Sequence, residues 1–183
     1  MADDKATKGG MIDFEASVLA RAKLNDADAL ATMFKQFVSE DETVIATEYL
    51  GTDGMWGMGT HSFGCLTNRR VGTLRVGAFG EVVYQDGYLE HLTSMVVWQP
   101  SKLGLYVWSF FLLLFAIGTF GLALLLFPFM VKTYYRFNKC GLVFVVREGV
   151  SVYMFTNRKL LTRANALYRA TVMHREKRAR ATG

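Results

Sequence analysis

The amino-acid sequence predicts an α+β protein: a curved antiparallel sheet capped by a C-terminal helix, with N-terminal helices and an inserted transmembrane or re-entrant helical hairpin. Three observations carry this expectation. Segments such as TVIATEYL, VGTLRVGAF and EVVYQDGYL mix β-branched and aromatic residues and break at glycine about every ten residues, as short antiparallel strands do. Near the end of the chain Leu160, Leu161, Ala164, Leu167, Tyr168 and Val172 form an apolar stripe at helical spacing. Between these regions, from Leu103 to Val131, no residue carries a charge.

The remainder of the 183 residues suffices for one modest core, and a hydrophobic fraction of 51% concentrated in one block argues against a polytopic transporter. The net charge of +5 hides an asymmetry. Residues 1–60 hold five Lys/Arg and eleven Asp/Glu, whereas residues 61–183 hold sixteen and five. Because the basic half surrounds the apolar block, anionic membrane lipids are the expected partner, and nucleic acid is not. Cys65 and Cys140 lack CxxC spacing and a His neighbour, so free buried thiols are expected. The acidic start MADDKATKGGMIDF lacks the basic end and apolar centre of a signal peptide, which leaves insertion to the internal segment.

In chain order, residues 1–11 read as a polar leader and 12–38 as two helices. Ile12, Phe14, Val18, Leu19 and Ala22 share a face of the first. Asn25 or Asp26 caps the second, whose stripe is Leu30, Met33, Phe34 and Phe37. The bland reading of that stripe is core packing; the sharper one is a partner-binding or membrane-lying face. Residues 39–101 supply the first strands. Within them GTDGMWGMGT (51–60) reads as a flexible turn whose Trp56 either dips into headgroups or packs back, and Glu90 and His91 fall on a strand, facing opposite ways. After the block at 102–135, residues 136–173 contain a hairpin turning at Arg147-Glu148-Gly149 and a closing helix capped by Thr156 or Asn157. A basic tail, 174–183, follows.

SEDETVIATEYL, GCLTNRRVGTLRV, GYLEHLTSMVVWQPSKLG and GLVFVVREGVSVYMF, with the final helix, resemble in order and spacing the bacterial PH-like domain family. The resemblance covers about residues 37–173 apart from the apolar block. It implies a PH-like curved sheet closed by a helix. Family members commonly carry membrane helices before or after the domain, whereas here the membrane segment interrupts it.

A single helix over the block would be ~43 Å long against a hydrocarbon core of ~30 Å, which demands excessive tilt. Two arms, Lys102 to Gly118 and Gly121 to Tyr135, would be roughly 25 and 22 Å, suited to a short or re-entrant hairpin. Gly118 and Gly121 provide the turn, or else act as small residues for helix packing. Basic residues lie on both flanks, which places both ends in the cytoplasm. Strands on either side of the block can pair only if they share one compartment. Tyr106, Trp108, Tyr134 and Tyr135 are the expected interfacial anchors, and a single-span protein with separate small domains is the fallback.

No nucleophile and base fall together, no metal-ligand spacing occurs, and no cofactor is implied. The expected function is therefore non-enzymatic: an integral protein of the bacterial inner membrane with a cytoplasmic PH-like domain, acting as a scaffold or accessory subunit for a protein partner or as a homo-oligomer. The alternative is lipid-headgroup binding or lipid handling. Candidate headgroup contacts are Arg69, Arg70, Lys102, Lys132, Arg136, Arg175, Lys177, Arg178 and Arg180; for Arg69 and Arg70 a salt bridge within the domain is the bland alternative.

Overall fold

The computed structural model describes residues 14–55, 58–119, 121–147 and 149–182, and the chain is α+β with antiparallel sheets and a C-terminal helix. Two short helices lead, α1 (Ala16–Lys23) and α2 (Ala27–Lys35). Asp26 caps α2 by accepting the amides of Asp28 and Ala29, both at 3.1 Å, which satisfies two of the donors that a helix start leaves open. Asn25 is diverted to another task. At φ +67° it accepts the Tyr49 amide at 2.7 Å and donates to the Glu48 carboxylate at 3.0 Å, tying the helix pair to the sheet. Leu30, Met33 and Phe34 are buried against Phe63, Cys65, Leu74 and Val76, so the stripe is a core face and neither docks a partner nor lies on a membrane. Ile12 lies outside the described residues.

The first sheet is a meander of β1 (Val44–Met55), β2 (Met58–Thr67), β3 (Arg70–Val76) and β4 (Val82–Tyr88), in that order. The span 51–60, expected to be a flexible turn, is mostly paired strand. β1 runs on to Met55 and β2 begins at Met58, with Thr52 opposite His61 and Gly54 opposite Gly59. Glycine weakens a strand, but hydrogen bonds to the partner backbone hold it here. Trp56 lies outside the described residues. One face of this sheet packs on α1 and α2 and the other faces a second core, which accounts for the nearly continuous burial along β3.

A 3-10 turn at Leu89–His91 leads into the second sheet, β5 (Leu92–Trp98), β6 (Cys140–Val146) and β7 (Val152–Thr156), all antiparallel. Glu90 and His91 are therefore in a turn and not on the expected strand; Leu89, 2% exposed, and Leu92 enter the core and pull the chain round between them. β5 and β6, from opposite sides of the apolar block, are hydrogen-bonded neighbours from Leu92↔Val146 to Trp98↔Gly141.

A 3-10 turn, Arg158–Leu160, opens the closing helix α5 (Leu161–Thr182). Neither expected residue caps it through its side chain; the Thr156 hydroxyl instead donates to the Leu50 carbonyl at 2.7 Å. Ala164 and Leu167 of α5 complete the core with Leu50, Leu66, Val71, Leu142, Phe144 and Met154. α5 does not stop at residue 173. It continues through the basic segment, where His174 and Arg178 reach the Asn68 carbonyl at 3.3 and 2.9 Å. Both cysteines are free and buried, and burial, with Glu42 nearby, pushes the Cys65 thiol up to about 12.

Candidate functional site

Between β5 and β6 the apolar block forms α3 (Leu103–Gly118), a 3-10 segment Leu122–Leu126 and α4 (Phe127–Phe137). The chain reverses between α3 and the 3-10 segment. Of the two expected turn glycines only Gly121 adopts positive φ, +85°, and its amide closes on the Ala116 carbonyl at 2.8 Å. Thr119 finishes the reversal: its hydroxyl donates to the Phe115 carbonyl at 3.1 Å and accepts the Ala123 amide at 3.3 Å. An added Cβ on Gly118 or Gly121 would meet nothing within 4 Å, so no described part of this chain packs there. Pro128 sits in the first turn of α4, where its missing N–H has no intrahelical acceptor to leave empty.

Water-facing helices normally turn charge outward, whereas from Leu103 to Val131 these turn apolar side chains outward. Trp108, Phe111, Phe115, Ile117, Leu122, Leu125 and Phe129 are each more than half exposed, and among the described residues of the hairpin only Ala116 and Ala123 are buried. No helix among the described residues is long and apolar enough to cross a membrane.

The root of the hairpin is fastened to the domain. Tyr134 donates its hydroxyl to the Ser101 carbonyl at 2.7 Å, joining the two arms. Arg158, entering the closing helix, donates to the Pro100 carbonyl at 2.8 Å and stacks over Tyr135 at 4.8 Å. Beside this root lies a groove of about 770 Å³, walled by Leu50–Gly54 of β1, the end of β7 and Asn157. Gly51 makes that wall possible: its φ is +117°, and a Cβ there would stand 2.7 Å from the Asn157 side-chain nitrogen. Six basic residues line the groove (Lys102, Lys132, Arg136, Lys139, Arg158 and Lys159) against one carboxylate, Asp53, which pairs with Lys139.

The expected headgroup residues divide into two sets. Lys102, Lys132 and Arg136 meet at the groove. Arg69, Arg70 and the cluster Arg175, Lys177, Arg178 and Arg180 lie at the other end of the domain, since Arg178 touches the β2–β3 turn roughly 26 Å along α5 from its start. Arg70 is internally bound: its guanidinium meets Glu42 at 2.7 Å and Asp86 at 2.9 Å, with a side chain 18% exposed, and the Glu42 bond raises its already high pKa. Arg69 pairs with Asp41 at 2.7 Å at the surface, and Arg178 with Glu90. Of the expected interfacial anchors, Tyr106 and Trp108 are exposed on α3, while Tyr134 and Tyr135 are half-buried in the root.

Sequence reasoning missed Lys139, Arg158 and Lys159 as members of this site, because no local spacing brings the end of β7 beside residue 102. It also missed a triangle in which Tyr49 and Thr52 hydroxyls meet His61 Nδ1 at 3.0 and 3.1 Å; burial, then the Lys23 charge, lowers the His61 pKa. Among the described residues no three His, Cys, Asp or Glu side chains converge as a metal site would require. Comparison with known proteins finds no matching family model, no matching curated protein and no matching solved structure.

Proposed function

We propose that this chain is a membrane-anchored module in which the α3–α4 hairpin enters the bilayer and returns through the same leaflet, holding a PH-like domain against the cytoplasmic surface as a non-enzymatic scaffold. The observation that carries the reading is the outward-facing apolar surface of the hairpin, uncharged from Leu103 to Val131 and clamped at its root to a folded domain. In water such a surface is strongly unfavourable; in lipid it is the expected exterior. At 1.5 Å per residue α3 extends about 24 Å, short of a ~30 Å hydrocarbon core, which favours a re-entrant path over full crossing. Thr119 and Gly121 supply partners for backbone groups at the reversal, where lipid would offer none.

Pairing of β5 with β6 supports entry and exit through one face, because an odd number of crossings would separate the two strands. Seven antiparallel strands in two sheets, closed by a long helix, support the PH-like resemblance. For a protein partner or a second copy, the outer face of the second sheet offers Val96, Trp98, Tyr153 and Phe155, all exposed. The basic groove favours a second reading, recognition of an anionic headgroup.

The test uses single cysteines at Gln99 and Asn138, one on each side of the hairpin, in chains reconstituted into sealed neutral vesicles. Buried Cys65 and Cys140 contribute little background. An impermeant maleimide is expected to label both new sites from the same side. Labelling from opposite sides, or a chain that stays in solution without detergent or lipid, refutes the proposal.

A further inference from the structure

We propose that the groove at the root of the hairpin binds a phosphate group, supplied by the headgroup of an anionic phospholipid in the leaflet the hairpin enters; the lipid source rests on the membrane-anchored reading above. The basic residues are not one helix face that happens to be solvated. They arrive from both arms of the hairpin, from the link into β6 and from the entrance of the closing helix, so the fold itself concentrates them. Six basic side chains line one cavity and Asp53 is the one carboxylate among its lining residues, so like charge predominates there and repels. An anion removes that repulsion.

Arg158 is the fixed member. Its guanidinium stacks on Tyr135 and is tied to the Pro100 carbonyl, so its place on the groove wall is set by the hairpin root. A guanidinium held in place matches the oxygens of a phosphate better than a flexible ammonium does. The volume, about 770 Å³, is within the range of small-molecule sites and exceeds what a bare ion needs. The apolar arms rise directly from the rim at Lys102 and Leu103, so an acyl chain attached to the bound phosphate would run along an exposed hydrocarbon surface. A soluble phosphate would gain nothing from that surface.

The full chain, in a neutral maltoside detergent, is titrated calorimetrically with dihexanoyl phosphatidylglycerol, dihexanoyl phosphatidylcholine and inorganic phosphate. Phosphatidylglycerol is expected to bind with one-to-one stoichiometry, at least about tenfold tighter than phosphatidylcholine, whose choline meets like charge, and to weaken as salt is added. The exposed-rim variant Lys102→Gln/Arg136→Gln should weaken it at least about tenfold, and Arg158→Leu should do the same while keeping the side-chain stem. Arg175→Gln/Lys177→Gln, at the far end of α5, should bind as the parent does. Phosphatidylglycerol binding well above inorganic phosphate assigns the lipid as source, and equal binding assigns a soluble phosphate to the same site. Equal binding of the two lipids, or rim and Arg158 variants as tight as the parent, overturns the proposal. Flotation with pure phosphatidylcholine vesicles reads anchoring separately: a chain that floats but binds no phosphate has lost only the groove, and one that binds phosphate but does not float has lost only the anchor.

Discussion

Two aspartates near the tip of the hairpin, Leu114→Asp and Leu125→Asp, should release the chain from the membrane without unfolding it. The hairpin carries fourteen exposed Leu, Ile, Phe or Val residues between Leu103 and Phe129. At roughly −0.3 to −0.6 kcal/mol each on the insertion scale, they favour the bilayer by about 4 to 8 kcal/mol. Each aspartate costs about 2.5 to 3.5 kcal/mol on the same scale, and the two lost leucines remove about 1 kcal/mol more, so the double change cancels most or all of the driving force. Leu114 is 49% and Leu125 78% exposed, and neither belongs to a core cluster, so the domain should fold as before. The assay is flotation of the full chain with neutral vesicles, beside near-ultraviolet circular dichroism in detergent. The parent is expected to float and the double variant to remain at the bottom with an unchanged spectrum. A double variant that floats like the parent refutes the lipid reading of this surface. One that loses its tertiary signal refutes the claim that the hairpin stands apart from the core.

Glu42→Ala should destabilise the domain by about 3 kcal/mol, because it leaves the partly buried Arg70 with only Asp86 and the Ser39 hydroxyl as side-chain hydrogen-bond partners and removes one of the two acceptors of the Thr67 hydroxyl, whereas Arg69→Ala at the exposed Asp41 pair should change stability by under about 1 kcal/mol; denaturant titration in detergent compares them. Gly51→Ala should cost more than about 2 kcal/mol in the same titration and loosen the groove wall, since positive φ and the Asn157 side chain both oppose a Cβ. Cys65 titrates higher folded than unfolded, so its contribution is complete below about pH 9 and is lost as pH rises toward about 12. A Cys65→Ser chain should show a shallower alkaline decline in melting temperature. Native Cys65 should also alkylate far more slowly at pH 8 than the denatured chain, measured by mass.

Periodicity was informative wherever one face of an element is buried by its own neighbours. The stripe Leu30, Met33, Phe34 and the stripe Ala164, Leu167 are core faces, and β6 and β7, on either side of the polar tripeptide expected to turn, pair antiparallel, Glu148 itself lying outside the described residues. It misled where pairing overrides propensity. The glycines of 51–60 argue for a loop, yet backbone bonds to β2 hold most of that span as strand, and the pull of Leu89 and Leu92 into the core turns Glu90 and His91 out of a strand. Charge was the least legible property. A run of arginines reads alike whether it meets lipid or carboxylates, and Arg70 is occupied by Glu42, 28 residues earlier, at a distance no local pattern encodes.

Composition and order alone determined that a long uncharged segment interrupts an α+β domain with basic residues on either side, because these are properties of the chain read one residue after another. Tertiary structure decided which basic residues share a site: it brought Lys102, Arg136 and Arg158 to one groove and sent Arg70 and Arg178 to the far end of the domain. The reason is physical: electrostatic work depends on separation in space, and only the packing of β7 and α5 against the hairpin root sets those separations.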